Sequence, residues 1–263
     1  MKNIYFISDA HLGCRALQHG RQQERRLVRF LDDIKDKAGA IYMLGDMFDF
    51  WFEYPTVVPR GFTRFLGKVS ELTDNGVEVH FFTGNHDIWC TDYLQSECGV
   101  ILHREPVTLE LADKIFYLAH GDGLGDPDWK FRFLRSFFHN KVCQWLFRWL
   151  HPTIGMNFGL EWARRSRLKH EPCLQDGTPV DTYQGEDREF LVRFAKDYLK
   201  QHPNVNYFLF GHRHIELDLL DLLLTRQCRL LIMGDWITQC TYAVYDGEQL
   251  YMENYVEGDT VVR

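Results

Sequence analysis

Short apolar runs that end in polar, glycine-containing loops set the rhythm of this chain. Asn3–Ile7 reads as a buried strand and gives way at Ser8 to a polar loop running to Gly20. From Gln22 to Lys37, Leu27, Phe30, Leu31 and Ile34 recur at helical spacing, which predicts an amphipathic helix with Arg25, Arg26 and Arg29 on its exposed face. Ala40–Leu44 is the next predicted strand, Phe62–Asp74 the next helix, and Val77–Phe82 a third strand, closed by Gly84. Lys114–Ala119 and Asn206–Phe210 read as later strands, with a helix at Gly185–Gln201 between them. After Phe210 the pattern becomes β-rich: Leu217–Leu224, Arg229–Met233, Thr241–Tyr245 and Gln249–Tyr255. Asp246-Gly247 marks a hairpin turn between the last two.

Alternating strands and helices followed by a run of strands predict an α/β fold, a two-sheet β-sandwich flanked by helices. One stretch breaks the rhythm. From Trp129 to about Lys169 the composition is helical and aromatic, with Trp129, Phe131, Phe133, Phe137, Phe138, Trp145, Phe147 and Trp149, and Pro152 and Gly155 divide it. We expect a helical cap inserted at about 124–184 within a single domain spanning 1–263.

Composition changes this picture little. The chain has 263 residues, 45% hydrophobic and 25% charged, an ordinary globular balance. Its net charge of -7 argues against a general nucleic-acid binder, so no nucleic-acid partner is expected. The 7 cysteines are scattered without a C-x-x-C pair, which fits reduced thiols. The start lacks a signal-peptide pattern, and no apolar run is long enough to span a bilayer. A cytoplasmic protein is the expectation.

The chemistry lies in five short motifs, each just past a predicted strand: Asp9-Ala10-His11, Gly45-Asp46, Gly84-Asn85-His86-Asp87, His120-Gly121-Asp122 and Gly211-His212-Arg213-His214. Loops beyond strand carboxyl ends are where α/β proteins place ligands. Asp9, His11, Asp46, Asn85, His120, His212 and His214 give a mixed oxygen and imidazole donor set. That set suits manganese, iron or zinc better than calcium or magnesium. Seven ligands are too many for one transition ion, so two divalent ions are expected, with manganese the first choice. Two such ions can stabilise the attacking and leaving oxygens of a phosphoryl transfer and activate water near neutral pH.

In this order the motifs resemble those of the calcineurin-like metallophosphoesterase superfamily: Asp-x-His, Gly-Asp, Gly-Asn-His-Asp/Glu, His, then Gly-His-x-His. Every element is present between Asp9 and His214. The resemblance implies that Asp9, His11 and His214 hold one ion, Asn85, His120 and His212 the other, and that Asp46 bridges them. It implies His86 beside the phosphoryl group, with Asp87 as its orienting partner.

A narrower likeness extends over nearly the whole chain. Asp46-Met47-Phe48-Asp49-Phe50-Trp51, the segment with Asp122, Asp126 and Asp128, the aromatic insertion ending in Arg164-Arg165-Ser166-Arg167, and Gly234-Asp235-Trp236 resemble the UDP-2,3-diacylglucosamine pyrophosphohydrolases of lipid A biosynthesis. Typical members of that family carry arginine where this chain has His86. The likeness implies an acylated UDP-sugar substrate, cleaved to UMP and a diacylglucosamine 1-phosphate. It implies Asp122, Asp128, Arg164, Arg165, Ser166, Arg167 and Lys169 as substrate-binding residues, peripheral association with the inner membrane surface, and no obligate protein partner. The cap aromatics would give acyl chains an apolar slot, and its basic cluster would meet the diphosphate. Equally, the aromatics can pack the cap onto the body, and the basic cluster can be a solvated face or a contact for anionic headgroups. Two other readings stand: a phosphoesterase acting on nucleotides or dinucleoside polyphosphates, and a non-catalytic interaction scaffold.

Overall fold

The computed structural model describes residues 2–15, 20–125, 136–138, 140–170, 182–183, 185–220, 222 and 228–258, with side chains only as far as Arg165 in the stretch ending at 170. Asp126, Asp128, Trp129, Phe131 and Phe133 lie outside the described residues.

Two sheets form the centre. In the first, β1 (Asn3–Ile7), β2 (Ala38–Met43), β3 (Glu78–Phe82) and β4 (Ile101–His103) run parallel. β10 (Thr241–Tyr245) and β11 (Leu250–Asn254) join antiparallel on the far side, giving the order β11-β10-β1-β2-β3-β4. The second sheet has the order β5-β6-β7-β9-β8. Its parallel centre is β6 (Lys114–Ala119), β7 (Tyr207–Phe210) and β9 (Arg229–Met233), edged by antiparallel β5 (Val107–Leu111) and β8 (Glu216–Leu219).

Strand residues alternate between two cores, because successive side chains leave opposite faces. Ile4, Phe6, Phe116, Leu118, Leu209, Leu231 and Tyr245 meet between the sheets, where Phe6 stacks on Phe116 with ring centroids 5.9 Å apart. Tyr5, Ile7, Ile41 and Val244 face outward under α1 (Gly20–Ile34) and α2 (Thr63–Asp74). Tyr117, Phe208, Phe210 and Leu230 face the other way, under α6 (Phe190–Gln201). Each fully buried side chain of this size contributes about 1.5–3 kcal/mol. Strands covered on both faces read as unbroken apolar runs, which is why these were visible in the sequence.

Several boundaries moved. The first helix begins at Gly20 and ends at Ile34, with Lys35–Lys37 forming a turn closed by the Lys37 amide on the Ile34 carbonyl. The helix expected at Gly185–Gln201 begins only at Phe190. The strand expected at Leu217–Leu224 is β8, ending at Leu219. Three short elements had no counterpart in the expectations: α3 (Tyr93–Cys98), β4 and β5. The Asp246-Gly247 hairpin is present, with the Asp246 carboxylate accepting from the amides of Glu248 and Gln249. No disulfide joins the six described cysteines.

The insertion is helical where it is described, with α4 (Lys141–Phe147) followed by α5 (Pro152–His170). The division falls at Pro152, with 148–151 separating the two helices, whereas Gly155 does not divide it. Proline opens α5, where its missing N–H costs nothing. Gly155 and Gly159 lie inside α5 one turn apart and face the body. A Cβ on Gly159 would sit 2.2 Å from the Phe50 ring, and one on Gly155 would sit 2.2 Å from the Tyr54 hydroxyl. The two glycines let the helix backbone approach the rest of the protein closely. Phe147, Phe138 and Met156 complete this contact against Phe52, Tyr54 and Trp89, and the Trp89 indole donates to the Phe138 carbonyl at 2.8 Å. The other faces of α4 and α5, and the turn between them, leave Trp145, Leu146, Trp149, Ile154, Phe158 and Trp162 exposed, Trp149 at 75%.

Candidate active site

Five loops converge at one end of the sandwich. Those after β1, β2 and β3 come from the first sheet, and those after β6 and β7 from the second, all at strand carboxyl ends. The chain reverses so tightly there that Asp9, His11, Asp46, His212 and His214 hold φ between 44° and 70°. Non-glycine residues rarely adopt that left-handed conformation, at a cost of order 1–3 kcal/mol each. Only nine described non-glycine residues do so, and five are these candidate ligands. Gly84 permits a close approach, since a Cβ on it would lie 2.2 Å from Asp46 Oδ1.

Most of the donors fall into two groups, and a third set, His11, Asp46 and His86, also brings its ligand atoms close together. Asp9, His11 and His214 form one, with His214 Nε2 3.4 Å from Asp9 Oδ1 and 3.2 Å from His11 Nε2. Asp46, His120 and His212 form the other, with His120 Nε2 3.3 Å from Asp46 Oδ2. Asn85 Oδ1 joins that second group, 2.9 Å from His212 Nδ1 and 3.3 Å from His120 Nε2. Asp46 Oδ2 also lies 3.7 Å from His11 Nε2, so this carboxylate stands between the groups.

The chemistry of these donors fits divalent cations. Asp9 Oδ2 accepts from Ser8 and the His212 amide, but Oδ1 is buried without a hydrogen-bond donor among the described residues. His120 Nδ1 donates to the Leu44 carbonyl at 2.9 Å, which turns Nε2 toward two oxygens. Acceptors crowded in this way repel unless a positive charge lies among them. Burial would lower His120, yet the Asp46 carboxylate overrides it and raises the imidazole well above its usual range. Burial would likewise raise Asp46, but His120, His86 and His11 hold it well below the carboxylate range. Burial and the neighbouring His120 push His212 down to about 4, leaving it neutral, the form that ligates metal.

Two partners of these histidines were missed by sequence reasoning. Asp49 Oδ1 lies 3.5 Å from His11 Nδ1, and Asp235 Oδ2 lies 3.7 Å from His214 Nδ1. Carboxylates behind ligating histidines fix ring orientation and strengthen the donor. The available signal was a lone carboxylate within an aromatic run, Phe48-Asp49-Phe50, and the Gly234-Asp235-Trp236 motif, which had been given no role. Glu189, buried ahead of α6, takes the Arg213 Nε at 3.1 Å and so braces the segment between His212 and His214.

His86 is held differently from expectation. Its Nδ1 bonds the Asp49 carbonyl at 2.8 Å, its backbone amide donates to Asp46 Oδ1 at 2.8 Å, and burial lowers its pKa. Asp87 instead accepts from the amides of Gly84 at 2.7 Å, Met47 at 2.9 Å and Phe48 at 3.3 Å, tying two loops together. Burial and the nearby Asp46 charge push it up to about 7. Consecutive side chains on this turn diverge, which is why adjacency in sequence did not become a pair.

A family model described as calcineurin-like phosphoesterase matches residues 2–216. The chain belongs to this family. Calcineurin-like phosphoesterases bind divalent metals, and a metal-dependent hydrolase is the class this places the chain in. A Porphyromonas gingivalis protein named UDP-2,3-diacylglucosamine hydrolase is 45% identical over 258 residues, covering 95% of this chain and 97% of its own. Proteins of the same name from Edwardsiella ictaluri and Haemophilus ducreyi are 34% and 26% identical, over 62% and 90% of this chain and 61% and 92% of theirs.

Of the expected substrate-binding residues, Asp122 is buried in the loop that follows His120. Arg164 and Arg165 lie on α5, and both bond Glu161, with Nε to carboxylate distances of 2.9 Å in each case. Ser166, Arg167 and Lys169 continue α5, but their side chains, like Asp128, lie outside the described residues. A different cation reaches the cap. Arg15, four residues past His11, donates to Asn157 Oδ1 on α5 at 2.7 Å. No described helix is long and apolar enough to cross a membrane.

Proposed function

We propose that this phosphoesterase hydrolyses the diphosphate of UDP-2,3-diacylglucosamine, giving UMP and 2,3-diacylglucosamine 1-phosphate, with two divalent ions of which manganese is the first choice. The observation that carries the substrate is the apolar strip on α4 and α5. Trp145, Ile154, Phe158 and Trp162 are exposed on helices docked beside the donor cluster, and Trp149 on the turn that joins them. A hydrolase of plain nucleotides has no use for such a strip, whereas acyl chains gain about 0.8 kcal/mol per buried methylene from it. The name carried by the Porphyromonas gingivalis relative, aligned nearly end to end, supports the same reading.

Asp9, His11 and His214 would hold one ion, Asn85, His120 and His212 the other, with Asp46 between them. Bound there, the ions supply Lewis acidity and an activated water. His86, anchored through Nδ1 on the Asp49 carbonyl, presents Nε2 to the phosphoryl group. An anionic phosphoryl oxygen opposes the burial that lowers this ring, so the imidazole takes a proton as substrate binds. It then stabilises the phosphoryl oxygen or the departing one. Asp87 keeps the two loops in register through its three amides, and Asp122 would sit at the substrate side of His120. The cap's basic residues Arg164, Arg165, Arg167 and Lys169, together with Ser166, would act at its rim. The exposed strip would also rest against the inner membrane surface, where acylated substrate resides.

The test compares acylated and deacylated UDP-glucosamine at equal concentration with manganese, in oxygen-18 water. Faster turnover of the acylated substrate, with label in UMP, is expected. Equal rates would refute the lipid reading, and label in the sugar phosphate would refute attack at the α-phosphorus.

A further inference from the structure

Between the two sheets, beside the donor cluster, lies a cavity of about 230 Å³ that the metal chemistry leaves unused. Gly84, His120 and Asp122 bound its inner side, so it opens onto the group formed by Asp46, His120 and His212. Its outer wall is the segment from His103 to Pro106, at the end of edge strand β4. The cap is docked elsewhere, through Phe50, Phe52 and Tyr54.

Size and charge say what this cavity takes. Pockets that enclose a whole drug-sized ligand run to about 300–1,000 Å³, so this one holds a fragment of a substrate rather than an acylated sugar. Its charges are mixed: Glu105 and Asp122 offset Arg104, whose Nη2 already donates to the carbonyls of Cys90 and Thr91. An anion gains little from such a wall. Phe82, Ile88, Pro106 and Leu124 add apolar surface. His103 is also in the wall. Its Nε2 pairs with His80 Nδ1 at 2.9 Å, its ring stacks on Phe82, and burial keeps it toward the neutral form. A neutral, flat group with apolar faces and polar edges matches all of this.

We infer that the cavity is the nucleoside subsite. A substrate lying with its diphosphate across the two donor groups places its base and ribose here, and its acylated sugar toward α4 and α5. The inference rests on the UDP-sugar reading above and adds a location and a direction to it.

The experiment uses the full chain loaded with manganese and measures how UMP and inorganic phosphate compete with bis(p-nitrophenyl) phosphate hydrolysis. UMP is expected to compete about tenfold more tightly than phosphate, because only UMP carries a group for the cavity. Pro106→Trp, which fills the cavity from its rim, shrinks that advantage to about twofold or less, and Arg104→Ala reduces it in part. Melting temperature is followed for both variants, so that if one is damaged the other still reports. A UMP advantage retained in both variants, with unchanged melting and with the acylated UDP-sugar still hydrolysed, overturns the subsite. A chain that does not hydrolyse UDP-2,3-diacylglucosamine, yet shows a UMP advantage that Pro106→Trp abolishes, keeps the subsite and removes the lipid.

Discussion

His86 and Asp46 sit 2.8 Å apart, backbone amide to carboxylate, yet their replacement should have opposite consequences. Asp46→Ala removes the negative charge between the two donor groups, so metal and activity should fall together, read by elemental analysis beside turnover. His86→Ala takes away a ring anchored on the Asp49 carbonyl and packed edge-on against His11, and it should keep both ions while losing about 10²–10⁴-fold in kcat. An emptied metal position in His86→Ala would show that the imidazole is a ligand after all. Asp235 gives a prediction in pH. Burial would raise its carboxyl, but the facing His214 imidazole and the amides of Thr238 and Gln239 outweigh burial and hold it at about 2 against 3.8. A depressed acid stabilises the folded state above its unfolded value and ceases to do so as pH falls through the folded one. In metal-free protein, Asp235 therefore contributes about 2 kcal/mol above pH ~4 that disappears as pH falls toward ~2. Denaturant titrations of Asp235→Asn should lack that portion of the acid limb, and an unchanged limb would remove Asp235 as its source.

At the scale of elements, α5 decides how the cap meets the catalytic body. Its glycines admit Phe50 and Tyr54 against the helix backbone, and Arg15 reaches across to Asn157 from the loop that carries Asp9 and His11. Gly159→Leu has to displace the Phe50 ring, and overpacking of this kind costs about 1–3 kcal/mol. We expect a melting point lower by a few degrees and a selective loss of rate on the acylated substrate, while bis(p-nitrophenyl) phosphate is hydrolysed nearly as before. Equal losses on both substrates would mean that α5 props up the metal loops rather than binding lipid. The pairing of Arg164 and Arg165 with Glu161 belongs to this scale too. Exposed helix pairs are screened by solvent and contribute little, so a phosphate can draw either arginine away at little cost.

For the whole molecule, two sheets each deliver loops to one end, and the donors they bring together crowd acceptors around Asp9 and Asp46. Cations bound only by the folded state stabilise it, by about 2.7 kcal/mol for each ion at a hundredfold excess over its Kd. Chelation should therefore lower the melting temperature as well as abolish turnover, and purified protein should carry close to two transition ions per chain. A melting temperature indifferent to chelator would argue against cations at this end of the sandwich. The exposed strip on α4 and α5 should carry the protein onto vesicles of mixed neutral and anionic lipid in a sedimentation assay. Trp145→Ser combined with Trp149→Ser should release it, and identical sedimentation of the variant would assign the strip to substrate alone.

What the sequence determined by itself was local. Strands such as Asn3–Ile7 and Tyr207–Phe210 announced themselves because burial on both faces demands unbroken apolar runs. The seven donor residues were legible because each follows such a run in a short polar loop. Tertiary structure decided everything that depends on which loops become neighbours. Asp49 behind His11, Asp235 behind His214 and the Met47 and Phe48 amides on Asp87 are contacts between segments far apart in sequence, and no local period encodes them. Pro152 marked a helix boundary as its propensity implies, whereas Gly155, read as a break, lies inside α5 because tertiary packing sets it against Tyr54. β4 and β5 escaped notice because a strand of three residues, and an edge strand with one face in water, carry too little apolar pattern to see. The cavity between the sheets is furthest from the sequence, since it is the gap left where the ends of β3, β4 and β6 diverge.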